Sequence, residues 1–157
     1  MPYITVNNHK LHYADSWDPS AKPVAPGLTI VFTHGLGSSQ NYYCPILPYL
    51  SDYRCITIDT YGSGRSKYDG QETSVQTIAK DVLGVMDSLE IKKAVVVGHS
   101  KGGMVVNYLG STAPDRVLGV ICIGPVHPNP NSATIFEKRI EIVQQGMFSR
   151  SLPTLAL

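Results

Sequence analysis

Five residues around Ser100 have the types and the spacing expected of a nucleophilic site. The apolar run Val95-Val96-Val97 leads into Gly98-His99-Ser100-Lys101-Gly102, and an apolar segment of helical character follows. In a Gly-x-Ser-x-Gly sequence between a strand and a helix, the serine lies on a strained turn that exposes its hydroxyl above the sheet. The N–H groups at the start of the helix would stabilise a developing oxyanion. The alternative is a glycine-rich connection with an incidental serine, but the strand before it and the helix after it favour a nucleophile.

A second loop lies upstream, after another apolar run at residues 28–32, and reads His34-Gly35-Leu36-Gly37. A His-Gly-x-Gly loop after a strand can direct the backbone N–H of Leu36 to the place where a substrate oxygen becomes negative. With the N–H of Lys101, the residue after the serine, it would form a two-donor oxyanion hole. His34 precedes the nucleophile in the chain, so we interpret it as a residue that fixes this loop by hydrogen bonding.

A third loop, residues 59–66, follows an apolar run at residues 54–58 and contains a Gly-x-Gly turn. The sequence has no Gly-x-Gly-x-x-Gly that opens a helix and no Lys-Ser/Thr of a phosphate-binding loop, which disfavours nucleotide binding. We expect Asp59 and Ser66 to fix a tight loop beside the site. No metal-ligand spacing is evident, so we predict neither a metal nor another cofactor.

In this order and spacing, the three loops resemble those of the α/β-hydrolase superfamily, and most closely the small esterase and lactonase group that includes 3-oxoadipate enol-lactonase. The resemblance covers nearly the whole chain. It implies an α/β-hydrolase-type fold, with a mostly parallel sheet and flanking helices, and a serine hydrolase that acts on a carboxylic ester or a lactone. Two residues depart from the usual pattern, because Lys101 replaces an apolar residue and Tyr61 replaces Arg or Pro. The oxyanion contact uses backbone, so we expect Lys101 to preserve it while its charge biases the choice of substrate.

The resemblance also implies a division of the chain. Residues 1–124 would form the N-terminal part of the core, and residues 125–157 would begin a cap over the active site. An ordinary packing helix is the alternative for residues 133–145, whose apolar positions are Ile135, Ile140 and Ile142. Besides the catalytic Ser100 and the oxyanion donors, the side chains and backbone positions that we predict to contact a substrate are His34, Gly35, His99 and His127.

The catalytic triad of this superfamily runs serine, acid, histidine along the chain, so both partners should follow Ser100. The later acids are Asp115, Glu137 and Glu141, and the only later histidine is His127. Asp115 is expected at the sheet edge opposite Ser100, and no acid is placed to orient His127. We therefore expect the N-terminal portion of a hydrolase that is truncated after the first part of the cap, with a complementary C-terminal fragment as a partner. A non-catalytic small-molecule binding or signalling protein of the same fold is the alternative.

Segments of strand and helix character alternate along the chain, which independently predicts an α/β fold. The predicted elements are a hairpin of residues 3–6 and 10–13, a short helix at 41–50 interrupted by prolines, a helix at 73–89 with a capping box at Thr73 and Gln76, a helix after Ser100 that ends near Pro114, and a buried strand at 117–123.

The composition is that of an ordinary globular domain. The chain has 157 residues, 43% of them apolar, and a formal net charge of +1, which gives no support for binding to nucleic acid or to an anionic membrane. The N-terminus lacks the pattern of a secretory signal. Cys55 and Cys122 fall in apolar runs and are predicted to be buried free thiols, which favours a reducing, cytoplasmic location.

Overall fold

The structure is a computed structural model that describes residues 2–18, 20, 27–126, 134–135, 137–138 and 140–142. The chain divides into two compact units, Met1–Val126 and His127–Leu157. The first unit contains the sheet and its helices, and the described residues of the second unit are helical. Among the described residues, no helix combines the length and the apolarity that crossing a bilayer requires.

Six strands form one mostly parallel sheet, which confirms the predicted fold class. They are β1 (Tyr3–Val6), β2 (His9–Asp15), β3 (Thr29–Thr33), β4 (Arg54–Ile58), β5 (Ala94–His99) and β6 (Val117–Ile123). Their order across the sheet is β1-β2-β4-β3-β5-β6. The β1–β2 hairpin is antiparallel and β2 pairs antiparallel with β4, whereas β4, β3, β5 and β6 run parallel. The ends of β3, β4 and β5 that precede the three loops therefore meet at one edge of the sheet.

The predicted hairpin is present and is closed by Asn7 and Asn8. Both residues have positive φ, 49° and 66°, a backbone conformation that asparagine tolerates better than most residues. The second strand extends to Asp15, two residues beyond the prediction. In place of the predicted helix at 41–50 are two 3₁₀ turns, Gln40–Tyr43 and Leu47–Leu50, because the prolines prevent a continuous helix.

Two helices cover one face of the sheet, α1 (Val75–Ser88) and α2 (Lys101–Thr112). The capping box of α1 joins Ser74 to Thr77, which corrects the predicted pair Thr73 and Gln76 by one residue. Burial of Ile78 and Val82 fixes which side of this helix faces the sheet. With that side buried, the helix begins so that Ser74 is the N-cap residue. The helix after Ser100 ends before Pro114, as predicted.

Alternate residues of the central strands point to opposite faces and fill two separate cores. Val31, Ile56 and Val96 belong to the larger core, which packs against α1 and α2. Ile30, Phe32 and Val97 belong to a smaller core with Tyr43 and Cys55. The second face is covered chiefly by the two 3₁₀ turns, so its core is smaller than the core on the face that α1 and α2 cover.

One prediction about burial is correct and two are wrong. Cys55 is buried, as expected, but Cys122 is exposed. The strand predicted at residues 117–123 forms as β6, yet none of its residues is buried. The reason is its place in the sheet, since β6 pairs only with β5 among the described strands.

Candidate active site

Ser100 lies between the last residue of β5 and the first residue of α2, in the strand–turn–helix context that its motif predicts. Its φ and ψ are 52° and −115°, a region that residues other than glycine rarely occupy. The N–H of Ser100 donates to the carbonyl of Ile123 at 3.0 Å, and its own carbonyl accepts from Gly103 at 2.9 Å. These bonds hold the strained turn between β6 and the first turn of α2.

The two glycines of the motif permit close approach of three backbone segments. A Cβ on Gly98 would overlap the Gly102 carbonyl oxygen and lie 2.7 Å from the Gly103 nitrogen. A Cβ on Gly102 would overlap the Thr33 carbonyl oxygen and lie 2.9 Å from the His34 oxygen. Any side chain at either position would push α2 away from β3 and β5. The glycines therefore set the distance between the nucleophile and the loop after β3.

The loop after β3 lies directly beside Ser100. A Cβ on Gly35 would lie 3.2 Å from the Ser100 Cβ and 2.9 Å from Nδ1 of His99. Neither the Leu36 N–H nor the Lys101 N–H has an acceptor among the residues that the structure describes. Both donors are thus available for a substrate oxygen, as the predicted oxyanion hole requires.

His34 is fully buried and both of its ring nitrogens contact the protein. The Thr60 N–H donates to Nε2 at 3.2 Å, so the ring proton lies on Nδ1, which donates to the Gly35 carbonyl at 2.8 Å. Burial lowers the pKa of His34 below its ordinary value, which keeps the imidazole neutral. This geometry supports a role in fixing the loop. A direct contact of His34 or Gly35 with substrate stays a prediction.

Asp59 links the loop after β4 to the loop after β3. Its Oδ1 accepts from the Gln40 N–H at 2.7 Å, and its Oδ2 accepts from the Arg65 N–H at 3.0 Å. The Ser66 hydroxyl donates to the Asp59 carbonyl at 2.6 Å. The predicted loop-fixing role of Asp59 and Ser66 is therefore confirmed.

Sequence reasoning missed two residues of this polar cluster, His12 and Gln40. His12 Nδ1 lies 2.7 Å from Gln40 Nε2 and 3.1 Å from Asp59 Oδ2, and the Thr57 hydroxyl donates to Gln40 Oε1 at 2.6 Å. The cluster joins strands that are far apart in the chain. No local motif marks it, and the only available signal was a histidine inside an apolar strand pattern.

The two residues that flank Ser100, His99 and Lys101, are both partly buried. His99 stacks on Tyr42 at a centroid distance of 4.4 Å, and its buried Nδ1 has no hydrogen-bond partner in the described part of the chain. Lys101 is partly buried, and this desolvation lowers the pKa of its ammonium group. It forms no ion pair with a described residue. The side chain of Lys101 is thus partly withdrawn from solvent, with no neutralising acid in the described part of the chain.

The position of Asp115 agrees with its predicted place at the sheet edge opposite Ser100. Asp115 lies in the turn before β6, whereas Ser100 follows the end of the parallel strand β5, so the two residues lie at opposite edges of the sheet. Glu137 and Glu141 are exposed helical residues of the second unit. His127 lies outside the described residues. No group of three or more His, Cys, Asp or Glu side chains suited to a metal ion occurs in the described ranges.

Comparison with known proteins confirms the resemblance drawn from the three loops. The sequence profile of the alpha/beta hydrolase fold family matches residues 29–150. A relative named "Putative carbamate hydrolase RutD", from Stutzerimonas stutzeri, is 30% identical over 128 residues, which are 80% of this chain and 48% of that protein.

Solved structures agree with this assignment. The enol-lactonase from Burkholderia xenovorans LB400 is 32% identical with a TM-score of 0.69, over 76% of this chain and 45% of that one. Est816, described as an N-acyl homoserine lactone degrading enzyme, is 24% identical with a TM-score of 0.74, over 98% of this chain and 58% of that one, and shows the shared fold. The chain spans about half the length of these relatives.

Proposed function

Because this chain belongs to the alpha/beta hydrolase fold family, we propose that it supplies the nucleophile and the oxyanion hole of a serine hydrolase that cleaves a carboxylic ester or a lactone. The observation that carries the proposal is the backbone of Ser100, whose strained φ of 52° is held between β5 and α2. Strain of this kind concentrates at functional sites, where it aims a side chain. Here it supports a hydroxyl that projects from the turn toward a bound carbonyl group.

The reaction follows from the groups around Ser100. The Ser100 oxygen attacks the carbonyl carbon, and the negative charge that develops on the carbonyl oxygen is stabilised by the N–H groups of Leu36 and Lys101. The tetrahedral intermediate collapses, the alcohol oxygen leaves with a proton, and an acyl-enzyme remains. In a lactone that oxygen stays attached through the opened ring. Water then attacks the acyl carbon, which releases the acid and regenerates the Ser100 hydroxyl.

A base must take the Ser100 proton in the first step and return it to the leaving oxygen. We assign this role to a histidine that is oriented by an acid, as in the serine, acid, histidine order of the triad in this fold family. Asp115 does not supply the acid, because it lies at the sheet edge opposite Ser100. The 157-residue chain alone should therefore have only residual turnover.

The surroundings of Ser100 favour an uncharged reacting group. His34 is neutral, Asp59 is hydrogen-bonded within its loop, and the relatives are named for carbamate hydrolysis or lactone cleavage. Lys101 favours a substrate that carries a carboxylate elsewhere, since its half-buried ammonium has no acid partner among the described residues. The three free thiols fit a reducing, cytoplasmic location.

A substrate panel tests this proposal on the complete protein. Neutral aryl esters, lactones and phosphate monoesters are assayed with and without a chelator, using Ser100→Ala and the exposed α2 variant Ser111→Ala as a matched pair. We expect ester or lactone hydrolysis that is insensitive to the chelator, lost in Ser100→Ala and kept in Ser111→Ala. Phosphatase activity lost on chelation would contradict the proposal. Tight binding of a lactone without turnover would favour the non-catalytic alternative.

A further inference from the structure

Both ends of the loop that carries the proposed oxyanion donor Leu36 are held by the loop after β4. At the near end, the Thr60 N–H donates to His34 Nε2 at 3.2 Å. At the far end, the Gln40 N–H donates to Asp59 Oδ1 at 2.7 Å. Leu36 lies between these two contacts and is 61% exposed, so the position of its N–H depends on both of them.

His12 of β2 adjoins the far contact and bonds to it through both its backbone and its side chain. It is fully buried. Its carbonyl accepts from the Asp59 N–H at 2.9 Å, and its own N–H donates to the Ser66 hydroxyl at 2.8 Å. Its Nδ1 lies 3.1 Å from Asp59 Oδ2 and 2.7 Å from the terminal amide of Gln40. His12 therefore joins β2 to both loops.

The surroundings of the His12 ring indicate which of its nitrogens carries the proton. Both Asp59 oxygens accept backbone N–H groups, one from Gln40 and one from Arg65, so the contact with Nδ1 is a hydrogen bond if the ring donates. The other nitrogen, Nε2, is buried and has no hydrogen-bond partner in the described part of the chain. Buried N–H groups without an acceptor are rarer than buried acceptors without a donor, which leaves Nε2 without a proton. Both observations place one proton on Nδ1.

We propose that His12 is a positioning residue for the oxyanion hole: its Nδ1 proton is shared between Asp59 and Gln40 and thereby holds the far end of the loop. With the proton on Nδ1, the Gln40 amide turns its oxygen to the ring, because an NH2 group 2.7 Å from an N–H donor would be repelled. The NH2 group then donates to the Thr57 hydroxyl, which accepts as well as it donates.

The consequence for catalysis rests on the serine-hydrolase proposal, whereas the position of the proton does not. An oxyanion donor stabilises the transition state when it lies at the place that the negative oxygen reaches. Without the His12 proton, the Gln40 end of the loop is released and the Leu36 N–H moves from that place. A displacement of about 1 Å can lower a rate about 100-fold. The defect should appear in kcat and leave KM nearly unchanged, because the contact forms in the transition state.

Two variants of His12 in the complete protein separate this hydrogen bond from packing. The NH2 group of His12→Asn is attached to Cγ, as Nδ1 is, and can donate in its place, whereas the NH2 group of His12→Gln lies one bond further along the side chain. Val82→Ala, which removes buried apolar atoms of α1 and no hydrogen bond, is the control for loss of stability alone. Steady-state kinetics on the ester or lactone that wild type hydrolyses give kcat and KM.

We expect His12→Gln to lose about tenfold or more in kcat with KM within about twofold, while His12→Asn and Val82→Ala stay within about threefold of wild type. The Gln40 N–H should exchange with solvent about tenfold faster in His12→Gln than in wild type. Equal losses of kcat in the Asn and Gln variants, or unchanged kcat and exchange in His12→Gln, would overturn the proposal.

Nuclear magnetic resonance locates the proton in the wild-type protein without a variant and without activity. Nitrogen-15 shifts of the His12 ring distinguish a protonated from an unprotonated nitrogen, and we expect a proton on Nδ1 and none on Nε2. A proton on Nε2 would overturn the proposal even if the His12 variants fail to fold. A complete protein with the expected proton position and exchange rates but no turnover would contradict the proposed function and leave the positioning by His12 in place.

Discussion

Replacement of Ser100 by glycine should stabilise the protein relative to replacement by alanine. Alanine keeps the Cβ that makes the φ of 52° unfavourable, whereas glycine removes it. A residue in such a sparsely populated conformation costs about 1–3 kcal/mol. Glycine also loses about 0.5–1 kcal/mol more than alanine through backbone entropy on folding. The free energy of unfolding of Ser100→Gly should therefore exceed that of Ser100→Ala by roughly 0.5–2 kcal/mol.

Urea denaturation followed by circular dichroism measures this difference, with equal slopes required for the two variants. Asn107, an exposed residue inside α2, provides the control. There the order should reverse, and Asn107→Gly should be less stable than Asn107→Ala by about 1 kcal/mol. If alanine at position 100 is as stable as glycine, the turn is not strained and the geometric argument for the nucleophile fails.

Three further predictions concern the same site. Gly102→Ala should destabilise the protein by about 3 kcal/mol or more, because the new Cβ meets the backbone of Thr33; the open position Gly27 should tolerate alanine within about 0.5 kcal/mol in the same urea assay. Burial lowers the pKa of His34 below its ordinary value of 6.5, so as the pH falls the unfolded chain takes up the imidazole proton before the folded chain does. The free energy of unfolding should therefore fall as the pH drops below about 6.5, by up to about 1.4 kcal/mol per pH unit. An unchanged pH slope of this free energy in His34→Gln would contradict the buried neutral state of His34. Ester hydrolysis by the isolated chain should be residual and unaffected by His127→Ala, and robust turnover lost in that variant would make His127 the base.

The sequence predicted the parts of the site that depend on local chemistry. The Gly98–Gly102 motif identified the turn at Ser100 because glycine is required wherever backbone segments nearly touch, and that requirement is visible in the sequence itself. The capping box was displaced by one residue, since adjacent hydroxyl residues compete and only packing of Ile78 and Val82 decides between them.

Features that depend on distant parts of the chain were not predictable. The contact of His12 with Asp59 and Gln40 joins β2 to two loops, and nothing near His12 in the sequence marks it. The exposure of Cys122 has the same origin. An apolar strand pattern indicates that a strand is suited to burial, but whether a neighbour covers it depends on segments elsewhere.

Fluorophosphonate labelling of the complete protein tests the central claim, that Ser100 is an activated nucleophile, most directly. Mass spectrometry of the digested adduct locates the modified residue. The variant Ser111→Ala, which removes an exposed serine of α2, is the control for nonspecific effects of losing a serine hydroxyl. We predict a single stoichiometric adduct on Ser100, formed in wild type and Ser111→Ala and absent in Ser100→Ala. Labelling that survives Ser100→Ala, or no adduct on Ser100 in the complete protein, would contradict the account.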